Sequence, residues 1–253
     1  MKYIRFTVEG FEKFGVISGD EIIELQNNFL IDSEEQTGKT YALDEVKILP
    51  PVQPGKVIVI GLNYIKHAEE VNMPLPDEPM MFMVSPTAIV GHMDEIAIPY
   101  LEHKTDFEAE LTIVIGKEAK DVERKKALDY VFGYTIANDV SDRHLQQKDG
   151  QFTRAKSFDT FKPLGPVVRT GIDPNHLEIK LIQNGKVKQH SNTRDFVFSV
   201  EAIIEQVTKV MTLHPGDIIL TGTPSGVDAM QPGDVIEIEI EGIGKLVNHV
   251  VGK

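Results

Sequence analysis

Apolar residues in this chain come mostly in short runs bounded by Gly, Pro, Asn and Asp, which is the pattern of β-strands and turns. Tyr3-Ile4-Arg5-Phe6-Thr7-Val8, Gly15-Val16-Ile17 and Glu21-Ile22-Ile23-Glu24-Leu25 read as strands, with Glu9-Gly10 and Ser18-Gly19-Asp20 as turns between them. Residues 26–45 are polar and poorly periodic. Pro50-Pro51-Val52-Gln53-Pro54-Gly55 then interrupts the chain, because successive prolines continue neither regular element. A small β-rich N-terminal domain over residues 1–50 and a main domain over residues 51–253 are therefore expected.

The main domain opens on the strand Lys56-Val57-Ile58-Val59-Ile60-Gly61, followed by a short helix-compatible stretch from Asn63 to Val71 and a proline-punctuated segment from Pro74 to Pro79. Residues 80–84 and 88–98 read as strands, residues 121–130 carry helix formers, and Phe132 to Ala137 returns to strand, ending at Asn138-Asp139. A better-supported helix has Ile203, Ile204, Val207, Val210 and Met211 as one apolar stripe and Ser199 as N-cap. Beyond it the signal is β. Pro215-Gly216-Asp217 and Pro232-Gly233-Asp234 repeat one turn, and Ile236, Ile238 and Ile240 alternate with glutamates, so the isoleucines face the core. Strands without regular helical crossovers predict a mainly β roll or sandwich with some α-helix, not a doubly wound sheet.

One strand carries chemistry. In Asp106-Phe107-Glu108-Ala109-Glu110-Leu111, alternation puts Glu108 and Glu110 on one face and Phe107, Ala109 and Leu111 on the other. The run that follows, to Gly116, is apolar on both faces, as in a buried strand. Two carboxylates leading into such a strand repel each other unless a cation sits between them, which makes them candidate ligands for Mg²⁺, Mn²⁺ or Ca²⁺. In a chain with 39 acidic residues among 253, a solvated strand end is the commoner meaning of an E-x-E pair, and the pair alone does not establish a metal site.

Bulk composition narrows the partners. Hydrophobic content of 41% and charged content of 26% are ordinary for a globular protein. A formal charge of −13 argues against nucleic acid and anionic membranes, while a small anionic substrate needs only a local reversal of the field. There is no cysteine, hence no disulfide, thiolate metal site or cysteine nucleophile. The first residues lack the apolar core of a signal peptide and no run is long enough to span a bilayer, so a cytoplasmic protein is expected. Neither G-x-G-x-x-G nor the P-loop pattern occurs, which leaves nucleotide binding without support.

The order of several short motifs is more specific than any one of them. Asn63-Tyr64-x-x-His67-x-x-Glu70 is followed by Glu108/Glu110, Asn138-Asp139, Lys156-Ser157-Phe158-Asp159, and Gly216-Asp217-x-Ile219-x-Thr221-Gly-Thr-Pro-x-Gly-Val227. This series, from about Lys56 to the C-terminus, resembles the fumarylacetoacetate hydrolase family. The resemblance implies a mixed β-sandwich roll of that family's C-terminal type, one Mg²⁺ or Mn²⁺, and a homodimer. It also implies activity on small 2-oxo acids or their enols, by C–C hydrolysis, decarboxylation, isomerisation or hydration. Residues 1–50 resemble, more loosely, the small leading domain of some members.

By the same resemblance Glu108, Glu110 and Asp139 match the metal ligands, and three carboxylates leave half of an octahedral shell for water and substrate. His67 and Glu70, at i and i+3, match a catalytic dyad in which the glutamate orients an imidazole that activates water. The Tyr64–Pro79 segment is similar to a lid that orders over substrate. Arg143 and Gln146 correspond to substrate-binding positions, and Lys156 to a catalytic position that also holds the substrate. Thr223 matches a residue that hydrogen-bonds the substrate carboxylate, though a plain turn hydroxyl is the competing reading, as an exposed helix charge is for Arg143. The remaining histidines, including His103 and His144, read as structural or surface. Thr153 to Phe158 looks like the acylpyruvate-hydrolysing and oxaloacetate-decarboxylating branch, and Glu241 to Asn248 like the homoprotocatechuate-pathway isomerase/decarboxylase. The lead reading is a metal-dependent enzyme cleaving or decarboxylating 2-oxo acids. The alternative is an isomerase/decarboxylase of 2-hydroxyhepta-2,4-diene-1,7-dioate-type compounds in aromatic catabolism, and a remoter one is a non-catalytic ligand-binding protein.

Overall fold

The computed structural model of the protein describes residues 1–253. Its main sheet has the strand order Gln36–Ala42, Glu21–Leu25, Phe11–Ser18, Lys2–Val8, Lys162–Arg169, Val131–Asn138, Ala109–Ile115, Ile218–Leu220, Val57–Gly61, Met80–Val84, with two two-residue strands paired off this path. A second sheet runs Lys186–Asn192, Glu178–Gln183, Val235–Ile240, Gly244–Gly252, Glu95–Ile98. The protein is thus mainly β with a few helices, as the periodicity predicts.

The two sheets bury their facing isoleucines together. Leu111, Ile113, Ile115, Ile58, Ile60 and Ile219 from the first meet Ile179, Leu181, Ile236, Ile238, Ile240 and Leu246 from the second in one cluster. The Val200–Val210 helix adds Ile203, Ile204 and Val207 to it, and Ser199 caps the helix by accepting the Ala202 N–H. Each such side chain contributes about 1.5–3 kcal/mol by leaving water, so this shared interior dominates the fold's stability. The opposite face of the main sheet carries Val57, Val59, Val114, Ala137, Ile218 and Leu220 in a second cluster. Strand alternation accounts for both: Phe107, Ala109 and Leu111 enter the first core, while Glu108 and Glu110 face the other way.

Residues 2–42 form four antiparallel strands that continue the main sheet through the pairs Lys2↔Arg169 and Tyr3↔Val168.

Local departures from the sequence expectation have local causes. The Gln36–Ala42 strand has no apolar face and exists as an edge strand on Glu21–Leu25, with Ile22 opposite Tyr41. Residues 88–98 form two strands, Ile89–Val90 and Glu95–Ile98, because Asp94 accepts the Gly91 N–H in a tight turn between them. Helix formers at 121–130 make a 3₁₀ segment, Arg124–Tyr130, not an α-helix. The run from Asp106 to Gly116 breaks at Phe107, whose N–H donates to Asp228 O instead of the ladder.

Candidate metal centre and active site

Antiparallel pairing assembles the acids. Ala109 lies opposite Asn138, so the next residue, Asp139, sits beside Glu108, and its N–H donates to Glu108 O at 2.9 Å. Asn138 Oδ1 accepts the Glu108 N–H at 2.9 Å and holds the two strand ends together. Glu108, Glu110 and Asp139 are all buried, and one ligand atom from each lies within 4.8 Å of the others.

Three cations surround this triad. Lys156, ending a short helix Thr153–Lys156, places Nζ 2.8 Å from Glu108 Oε2 and 2.5 Å from Asp139 Oδ2. Arg143 begins the Arg143–Asp149 helix, which Asp142 caps by accepting the Leu145 N–H at 2.9 Å. Its Nε donates to Asp106 Oδ2 at 2.7 Å, its Nη2 to Glu108 Oε1, and its Nη1 to Gln146 Oε1 at 2.7 Å. The exposed-charge reading of Arg143 is therefore wrong: its guanidinium is part of the site. His103 remains structural and holds Asp142 through Nδ1 at 2.7 Å, while His144 stacks on its ring.

Lys162 was not marked by any motif. Its side chain is 2% exposed, and Nζ donates to the carbonyls of Val140, Lys156 and Phe161 at 3.2, 2.6 and 2.9 Å. The same ammonium lies 2.7 Å from Asp139 Oδ1, a buried ion pair. Asp106 leaves only a faint trace in the sequence, its place at the head of the E-x-E strand, and Lys162 leaves none.

The electrostatics are unequal across the triad. Burial alone would raise Glu108, but Lys156 and Arg143 outweigh it and hold that carboxyl far below the usual range. Burial pushes Glu110 well above the usual range, and the charges of Asp139 and Glu108 push it further. No cationic side chain bonds Glu110; its Oε2 accepts only the Gly222 N–H, at 2.7 Å. Burial works to lower Lys156, yet Asp139 and Glu108 prevail and raise it, whereas burial prevails at Lys162 and lowers it. Three buried oxygen donors, one of them with no cationic side chain bonded to it, fit a hard divalent cation.

The dyad faces the triad across the same cavity. His67 and Glu70 lie on the Ile65–Glu70 helix with His67 Nδ1 3.1 Å from Glu70 Oε2, and His67 is 8% exposed. Glu70 Oε1 accepts the Gly226 N–H at 2.9 Å. Thr223 projects from the loop between them, with Gly222 at φ +96°; a Cβ there would lie 2.8 Å from Asn63 Cβ, so only glycine suits that crossing. All nine residues singled out by the sequence (His67, Glu70, Lys156, Arg143, Gln146, Thr223, Glu108, Glu110 and Asp139) line one cavity of about 680 Å³. Its other walls include Val59, Ile60, Met73, Met80, Phe82 and Phe152.

A sequence profile of the fumarylacetoacetate hydrolase C-terminal domain matches residues 56–251, and a profile described as Rv2993c-like, N-terminal, matches residues 1–51. A mitochondrial oxaloacetate tautomerase of Xenopus laevis is 43% identical over 219 residues, covering 81% of this chain and 69% of the relative. The crystal structure of a 5-carboxymethyl-2-hydroxymuconate delta-isomerase from Mycobacterium smegmatis superposes with a TM-score of 0.94 at 40% identity, over 100% of both chains. A maleylpyruvate hydrolase from a Sphingobium species, solved with manganese(II) and pyruvate, gives 0.85 at 31% identity, over 100% of this chain and 99% of its own. The fold is thus shared with enzymes, and the chain belongs to the fumarylacetoacetate hydrolase family.

Proposed function

We propose that the protein is a divalent-metal-dependent enzyme of small 2-oxo acids, cleaving a C–C bond by hydrolysis of acylpyruvate-type substrates or by decarboxylation. The observation that carries this is the single cavity holding a buried three-carboxylate cluster and a His–Glu dyad together. Mg²⁺ or Mn²⁺ held by Glu108, Glu110 and Asp139 would act as a Lewis acid on the carboxylate and 2-oxygen of such an acid.

The chain's own groups supply the rest. Lys156 and Arg143 set positive charge beside a cluster that would otherwise repel an anion, and Thr223 offers a hydroxyl to the substrate carboxylate. His67 takes a proton from water as its oxygen attacks the distal carbonyl, and Glu70 steadies the resulting imidazolium. Breaking the C–C bond leaves its electron pair on the oxo-acid fragment, and His67 returns the proton to that carbon. Val71 and Met73, on the segment after the dyad, cover the cavity and limit water.

A second reading, isomerisation or tautomerisation of the oxo acid or a 2-hydroxydienedioate, is favoured by the relatives named for those activities. There the proton returns to a different atom and no carbon bond breaks. Assays of acetylpyruvate, oxaloacetate and 2-hydroxyhepta-2,4-dienedioate with Mg²⁺ or Mn²⁺ separate the readings by product. Acetate with pyruvate, or pyruvate with carbon dioxide, supports cleavage; an isomer alone supports the second reading. A homodimer in the cytoplasm, without nucleic-acid or membrane partners, completes the proposal.

A further inference from the structure

Gln189, in the Lys186–Asn192 strand of the second sheet, is fully buried, and its amide makes three hydrogen bonds. Oε1 accepts the Ala109 N–H at 3.0 Å, while Nε2 donates to Thr223 Oγ1 at 2.8 Å and to Pro224 O at 2.7 Å. The amide cannot be the other way round, since Ala109 N–H only donates and Pro224 O only accepts. Thr223 Oγ1 is therefore a receiver in this bond. Its single proton finds no acceptor in the chain, and the side chain lines the cavity.

We propose that Gln189 is a positioning residue that, by donating to Thr223 Oγ1, turns the Thr223 proton away from itself and into the cavity as a donor to an anionic oxygen. This rests on the reading of Thr223 as a carboxylate-binding residue and gives it a direction. A hydroxyl with no fixed partner turns its proton or its lone pairs to the ligand equally well; one that already accepts on one of its two lone pairs has its proton directed away from that bond, which favours an acceptor such as a carboxylate. The same amide holds Ala109, the residue between Glu108 and Glu110, so the donor and the acid pair are set by one side chain reaching across from the other sheet.

Gln189→Glu tests this. It keeps the size and the acceptor for Ala109, but an ionised carboxylate only accepts, and the Thr223 proton then turns to it. The probe is oxalate binding to the Mn²⁺-loaded protein by calorimetry, alongside Mn²⁺ binding itself by electron paramagnetic resonance. Gln189→Glu is expected to weaken oxalate about tenfold or more while the Mn²⁺ dissociation constant moves by less than about threefold. Thr223→Val should weaken oxalate by a similar factor, Thr223→Ser should retain it, and the double variant should be no weaker than Thr223→Val alone. Unchanged oxalate binding in Thr223→Val overturns the carboxylate role of Thr223 and this inference with it. Loss in Thr223→Val without loss in Gln189→Glu, or losses that multiply in the double variant, overturn the orienting role alone. Parallel loss of Mn²⁺ and oxalate would make Gln189 a support of the strand only. Should Gln189→Glu not fold, Gln189→Met, which neither donates nor accepts strongly, is expected to weaken oxalate a few-fold, and only where Thr223 is present; a loss that persists in Thr223→Val overturns the inference.

Discussion

The backbone N–H of Gly226 donates to Glu70 Oε1 over 2.9 Å, so the glutamate that faces His67 is anchored to the loop carrying Thr223. Gly226 stands at φ +96°, and a Cβ there would come within 2.2 Å of Lys188 O. Gly226→Ala must displace this loop and with it the dyad. The expected outcome is a melting midpoint lower by several degrees, from about 1–2 kcal/mol of strain, together with a loss of turnover. Calorimetry and a steady-state assay check both.

On the proposed mechanism, His67 moves protons between water and substrate. His67→Ala should lower turnover about 10²–10⁴-fold while Mn²⁺ binding is retained. Glu70→Gln, which keeps an acceptor for Gly226, should lose less. Undiminished hydrolysis in His67→Ala would show that another group activates water.

Glu110 is expected to give the proposed metal site a pH dependence. Its raised pKa means that it holds a proton at pH values where an ordinary glutamate has lost one, and an incoming cation must displace that proton. Mn²⁺ affinity is therefore expected to rise as pH increases toward the raised pKa of Glu110, with proton release on binding measurable in buffers of different ionisation enthalpy. In the metal-free protein the sign is opposite for folding. The native state binds this proton more tightly than the unfolded chain, so the Glu110 contribution favours folding at lower pH and declines as pH rises from the ordinary carboxylate value toward the raised one. Glu110→Gln should remove both effects and most of the affinity.

Lys162 is expected to be structural in a way that reaches the site. Replacing it by Met leaves three buried carbonyls without their donor and Asp139 without one of its two cations. Breaking such a buried pair costs about 3–5 kcal/mol, so Lys162→Met should unfold at markedly lower denaturant. An unfolding midpoint equal to that of the parent protein would mean that water replaces the ammonium.

The elements and the donor types were legible along the chain because they depend on short-range order. Alternation within Val235–Ile240 and from Phe107 to Leu111 selects a buried face, Ser199 caps its helix, and an E-x-E pair followed by an apolar run places two carboxylates at the head of a buried strand. The family's motif order located Asp139, His67 and Lys156. Only the tertiary structure decided how these groups meet. The register Ala109↔Asn138 brings Asp139 to Glu108, and Arg143 becomes a site residue only when the chain folds it against Asp106. Lys162 and Gln189 act through carbonyls and amides many residues away, on partners that no period or spacing encodes. The edge strand Gln36–Ala42 is likewise created by its neighbour, not by its own pattern. A side chain's periodicity records which face it occupies; its hydrogen-bond partner depends on the pairing of distant segments, which is settled only when the two sheets pack.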